Sequence, residues 1–270
     1  MDLIIEPGRA EKNYWRDLWR FRELFYFLAW RDILVRYKQT AIGVLWALLK
    51  PALTMAVFTM FRKMTKLPSG GVPDALLVFA AVLPWQFFST ALTEASGSLI
   101  GNANLISKIY FPRLIIPAGA VVTSLVDFAI TLGLFALMML WYRFAPGWQI
   151  VFLPLLILLT FGLSVGSGLL LAALNVKYRD FRYIVPFIVQ FGLFVSPIAI
   201  RTADVPQNWR FLYSLNPMVG IIDGFRWSLL AGLTPFDLSG LLGSFLGTVV
   251  LMAVGIWYFR RTERTFADVI

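Results

Sequence analysis

Apolar residues gather into six blocks, at 41–61, 75–95, 114–141, 150–174, 184–200 and 238–259, and the charges collect between them. A helix needs about 20 apolar residues to cross a hydrocarbon core about 30 Å thick, and each block meets or approaches that length. The pattern predicts an all-α integral membrane protein with six transmembrane helices. Lys50 and Pro51 fall near the middle of the first block, and Pro117 and Asp127 interrupt the third. The fifth is the shortest, and Pro186 and Pro197 predict a distorted span there. Before the first block, Tyr14, Leu18, Phe21, Phe25 and Leu28 recur at helical spacing, with Arg16, Arg20 and Glu23 elsewhere around the wheel. With Trp15, Trp19 and Trp30 added, this reads as an amphipathic helix in the headgroup layer, the alternative being an ordinary cytosolic amphipathic helix.

The stretch 201–237 fits neither pattern. Its apolar piece, 218–231, is stopped by Asn216 and Pro217 on one side and by Gly232 and Pro235 on the other, and it contains Asp223 and Arg226. Fourteen residues reach only about 21 Å as a helix. The stretch is therefore expected to form one or two short re-entrant helices in the outer leaflet. The chain then divides into an N-terminal cytoplasmic segment (1–40), a six-span domain (41–259) and a cytoplasmic tail (260–270).

Composition sharpens this picture. Hydrophobic residues make up 59% of the chain and charged residues 14%, against about 45–50% and about 25% in soluble domains. The net charge of +9 could indicate nucleic acid, but the bases sit at membrane edges, where they set orientation and attract anionic headgroups. With both termini cytoplasmic, sixteen bases fall in inner segments and seven in outer ones (Arg62, Lys63, Lys66, Arg143, Arg201, Arg210, Arg226). That excess obeys the positive-inside rule, and a seventh span would break it. The first forty residues lack the short apolar core and small-residue cleavage site of a signal peptide, so the N-terminus is expected to be retained.

Candidate chemistry is sparse. Without Cys or His, thiolate chemistry and the common zinc sets are unavailable, so no catalytic or metal site is expected. No phosphate-cradling G-x-x-x-x-G-K-[ST] loop occurs, so any ATP-driven step needs a separate ATPase. Lys50 and Asp127 are the two ionisable groups placed to couple ions, although Asp127 beside Thr123 and Ser124 also reads as a satisfied interhelical contact. Gly162 with Gly166, Ser164 with Gly168, and Gly243 with Gly247 form small-residue ridges for close helix packing, within one subunit or between two. The inner loop 97–113, with Leu105, Ile106, Ile109, Tyr110 and Phe111 around Lys108, suits either a short helix docking into a partner's groove or one resting on the bilayer. The inner loop 175–186 is long enough only to turn the chain and touch a partner.

Five segments in register (RDILVRYKQTAIGVLWALLKPALTMAVF at 31–58, LPWQFFSTALTEASGSLIGNANLISKIYFPRLIIP at 83–117, NVKYRDFRYIVPF at 175–187, LNPMVGIIDGFRW at 215–227 and FRRTERTFADVI at 259–270) resemble the permease subunits of bacterial ABC exporters for polysaccharides and polyol phosphates. The resemblance implies a multi-pass homodimer in the bacterial cytoplasmic (inner) membrane with two copies of a cytoplasmic ABC ATPase. ATP and Mg would then be bound by that partner, with no cofactor in this chain. It further implies ATPase coupling through Asn102, Lys108, Tyr110, Phe111 and Arg113, and an outer gate at Asn216, Pro217, Asp223 and Arg226. A lipid-linked glycan such as O-antigen, capsule or teichoic acid would enter at the headgroup layer beside Arg16, Arg20, Arg22, Trp15 and Trp19. Ten Trp, nine Tyr and 24 Phe supply faces for sugar rings, and Trp46, Trp85, Phe87 and Phe88 are the expected pathway aromatics. Lys50 departs from the uncharged residue expected before the span-one proline, and would face water or a cargo phosphate. A drug or lipid exporter permease of the same superfamily is the alternative. A membrane-embedded glycosyltransferase would need a catalytic base that this composition supplies poorly.

Overall fold

The computed structural model describes residues 14–38 and 43–266, all helices and connections without a strand among them. The residues before Tyr14, the start of the first expected span at 41–42 and the end of the tail at 267–270 lie outside the described residues. The helices are α1 (Tyr14–Arg20), α2 (Arg22–Lys38), α3 (Gly43–Thr65), α4 (Asp74–Gly101), α5 (Ala103–Lys108), α6 (Ile115–Trp141), α7 (Leu153–Lys177), α8 (Phe181–Val195), α9 (Gln207–Ser214), α10 (Met218–Leu229) and α11 (Leu238–Thr262).

Five of these, α3, α4, α6, α7 and α11, are long and apolar enough to cross a membrane. The fifth expected span is α8, which begins three residues earlier and ends five earlier than the apolar block, because Pro197 disfavours helical backbone at Ser196. Its 15 residues extend about 22 Å. Pro117 does not interrupt the third span: it sits in the first turn of α6, where no intrahelical N–H is needed. The C-terminal ends of α3 and α6 close with Lys66 and Arg143 in left-handed backbone, and the amides of Leu67 and Phe144 reach back to Arg62 and Met139 carbonyls.

Helix α4 is the axis of the bundle. It packs on α6 and α7, with α3, α10 and α8 around it, and its N-terminal part, Leu76 to Leu83, is buried on every side. The α7–α11 pair is the closest packed, since Gly166 lies against the Met252 backbone and Gly255 against the Gly166 carbonyl. The α7 ridge is thus used within the subunit. Its counterpart on α11 is Gly255, while Gly247 packs on Pro217 instead. Between α8 and α11 the two expected short helices are present: α9 is exposed, and α10 is a buried wedge against α11, α4 and α7.

Candidate functional site

At one end of the bundle, α1, the α5–α6 connection and the end of α11 share one apolar cluster. Tyr14, Leu18, Phe21, Phe25 and Leu28 form one stripe, as their spacing requires, but they pack on Phe111, Phe259 and Phe266 rather than on lipid. The apolar stripe thus faces protein. The outward face instead carries Trp15 and Trp19, 56% and 72% exposed, with Arg16, Arg20 and Arg22, all five expected at the cargo's entrance. The Arg22 guanidinium lies 5.7 Å from the Trp19 ring centroid.

The expected coupling residues separate into two groups. Lys108 and Tyr110 are exposed, together with Asn104, Ser107 and Ile109. Phe111 is only 4% exposed, so it cannot press into a partner. Asn102 is tied down: its side-chain N–H donates to the Ser98 carbonyl and its Oδ1 accepts from Arg31 of α2. Arg113 is fastened to Glu263, donating its amide N–H to Oε1 at 2.8 Å and its guanidinium N–H to the main-chain carbonyl. Burial holds the Glu263 carboxyl above the usual carboxylate range, against the opposing pull of the Arg113 amide. Burial likewise raises the Tyr14 hydroxyl, with the Glu263 charge adding to it. A groove of about 1070 Å³ runs between these elements, edged by Lys108, Arg260 and Arg261.

A second cavity, about 270 Å³, opens between α2, α3, α4 and α6. Arg36 bridges Asp127 and Glu94, at 2.5 Å to each, and the Tyr37 hydroxyl also donates to Asp127. Asp127 is thus a satisfied interhelical contact, but not through Thr123 and Ser124, whose hydroxyls donate to carbonyls of their own helix. Asp127 stands twelve residues, about 18 Å, into α6. The end of α2 therefore slants inward along α6 rather than lying flat. Of the expected pathway aromatics, Trp46 is 57% exposed at this cavity and Phe87 borders it. Trp85 is a core residue, buried where Gly192 of α8 leaves no room for a side chain, and the half-buried Phe88 lies beside it with ring centroids 5.8 Å apart.

At the opposite end of the bundle, buried arginines hold the loop after α8. Arg226, 1% exposed, donates to the carbonyls of Leu77, Ile198 and Ile200, and approaches Asp223 at 3.8 Å. Arg62 is fully buried and donates to Asp74, Ala199 and Pro68. Arg201 forks onto Asp204, and although burial opposes ionisation there, the Arg201 bonds hold that carboxyl below its ordinary range. Asn216 donates to the Ser196 hydroxyl and accepts the Met218 amide, with Pro217 at the start of α10. Of the expected gate residues, Asp223 and Arg226 thus come together, while Asn216 and Pro217 sit at the start of α10 with Ser196. Sequence reasoning did not single out Arg36, Tyr37, Glu94, Gln86 or Thr90. The available signal was periodicity, for 86, 90 and 94 are spaced to line one face of α4.

Residues 23–230 match the family model described as ABC-2 type transporter. Among curated proteins, the chain is similar to an O-antigen export system permease protein of Myxococcus xanthus, 27% identical over 258 residues, covering 94% of this chain and 98% of the relative. A protein of the same description from Klebsiella pneumoniae is 25% identical over 247 residues, covering 89% and 92%.

Proposed function

This chain belongs to the ABC-2 type transporter family, and we propose that it is the permease subunit of an ATP-driven exporter that moves a lipid-linked, O-antigen-like polysaccharide across the bacterial cytoplasmic membrane. The observation that carries the reading is the end-to-end likeness to permeases described as exporting O-antigen. In this reading two copies assemble around the path, α8 serves as a sixth crossing, and both termini are cytoplasmic. Two copies of a separate ATPase bind ATP and Mg. The exposed strip Asn104, Ser107, Lys108, Ile109 and Tyr110 meets that ATPase. Because Phe111 and Arg113 anchor the strip to α1 and the end of α11, a push on it is passed to the bundle as a rigid shift. The basic, Trp-rich face of α1 attracts the phosphate of the lipid carrier at the headgroup layer.

The test is a deletion of the chain in its host, complemented in trans, with the surface polysaccharide and the tagged chain's co-purifying proteins both read out. Loss of surface polysaccharide, build-up of its lipid-linked form inside the cell and recovery of an ABC ATPase are expected. An unchanged polysaccharide with impaired drug or lipid efflux would replace the glycan cargo by that other class.

A further inference from the structure

Polar side chains inside apolar spans are costly unless they face water, a partner or a ligand. Three helices of this chain each present such residues at i, i+4 spacing to the same cavity: Trp46 and Lys50 from α3, Gln86, Thr90 and Glu94 from α4, and Asp127 and Thr131 from α6. We propose that this cavity is a subsite for one neutral sugar ring, with Trp46 as its stacking platform. The inference rests on the exporter reading above and goes further by naming what the path recognises.

Size, charge and chemistry each support a neutral ring. A volume of about 270 Å³ falls just below the roughly 300–1,000 Å³ of ordinary ligand pockets, enough for one ring and too little for a repeat unit. Arg36 is bonded to both Glu94 and Asp127, and Lys50 supplies the second positive charge, so the four ionised groups sum to zero. Among the described residues no carboxylate or other acceptor engages the Lys50 ammonium, which leaves its three donors for a ligand. A phosphate would meet two carboxylates on the walls and no net positive field. Sugar hydroxyls, which both donate and accept, match carboxylate, amide, hydroxyl and ammonium groups together. The exposed indole of Trp46 supplies the flat apolar face that ring C–H groups seek. Gln86 donates to Thr90 at 3.2 Å, which orients its amide oxygen as a further acceptor.

The test uses the full chain in lipid nanodiscs and saturation-transfer NMR with methyl glycosides of glucose, galactose and mannose. At least one glycoside is expected to receive transfer at its ring protons from wild type. Its apparent affinity should fall about fivefold in Trp46→Ala and in Gln86→Ala, the size of one lost aromatic or hydrogen-bonding contact, and be kept in Trp46→Phe. Pyrophosphate should leave the signal unchanged. No transfer to any glycoside, a signal that both alanine variants keep, or displacement by pyrophosphate that is abolished by Lys50→Met would each overturn the subsite. The readout needs neither ATPase nor export, so missing glycoside binding removes the subsite alone. A deletion strain that keeps its surface polysaccharide removes the exporter reading.

Discussion

Arg226 and Arg62 are the two largest polar side chains completely withdrawn from solvent, and main-chain carbonyls accept most of their hydrogen bonds. A guanidinium offers five donors in a fixed fork, so one side chain can hold carbonyls of α4 and of the loop after α8 together. An ammonium cannot span the same acceptors. Arg226→Ala takes the donor from the loop carbonyls of Ile198 and Ile200, at about 1–3 kcal/mol for each left unpaired, and leaves Asp223 without its counter-charge. The thermal midpoint of the purified chain is therefore expected to drop sharply in Arg226→Ala and by a smaller amount in Arg226→Lys, with exposed Lys63→Ala near wild type. Equal midpoints for all three would show that the fork carries no stability. The sequence put Arg226 in an outer segment by expectation, but its partners were invisible there, because every residue has a carbonyl and only the fold selects which ones converge. The same fact explains the seven bases expected outside. Four of the seven, Arg62, Arg201, Arg210 and Arg226, fasten loop groups of the protein itself.

Among the helices, the pairing of α7 with α11 sets the tightest geometric demand. In lipid no hydrophobic drive pulls two helices together, so backbone proximity and dispersion do that work. A Cβ on Gly166 would sit 2.6 Å from the Met252 backbone, whereas Gly243 meets nothing nearer than the Ser214 carbonyl at 4.0 Å. Gly166→Ala is expected to push the helices apart at a cost toward the upper end of the roughly 1–3 kcal/mol typical of overpacking, and Gly243→Ala to be tolerated. Detergent-resistant folded protein after a heating series distinguishes the two, and equal resistance would refute the close approach. Ridge residues on α7 were legible from their spacing. Their partner was not, since Gly255 belongs to no small-x-x-x-small pair singled out in the sequence. Asp127 shows the same limit from the polar side: its importance was readable in an apolar run, but Arg36 and Tyr37 lie about ninety positions away in sequence. Helix α2 itself was read only to residue 28, because beyond it the arginines and aromatics lose the one-sided pattern that a surface helix shows.

Across the whole molecule, the proposed function needs force to pass from an ATPase to the bundle, and the α5–α6 connection would divide that task between neighbouring residues. Tyr110 is 51% exposed and makes no contribution to the apolar cluster beneath it, while Phe111 is buried among Tyr14, Phe259 and Phe266. Spacing alone could not separate them, since adjacent aromatics in a short irregular stretch have no periodicity to assign a face. Their substitutions should separate cleanly. Phe111→Ala empties a core position, and about 3–5 kcal/mol of lost packing should lower the thermal midpoint and loosen α1 in hydrogen exchange. Tyr110→Ala is a surface change and should leave the midpoint within about 0.5 kcal/mol of wild type. If the exposed strip is where the ATPase bears, Tyr110→Ala should still reduce surface polysaccharide and the recovery of the ATPase with the tagged chain. A Tyr110→Ala protein that is stable, binds the ATPase and exports at the wild-type level would move the point of force elsewhere, to the basic groove edged by Arg260 and Arg261.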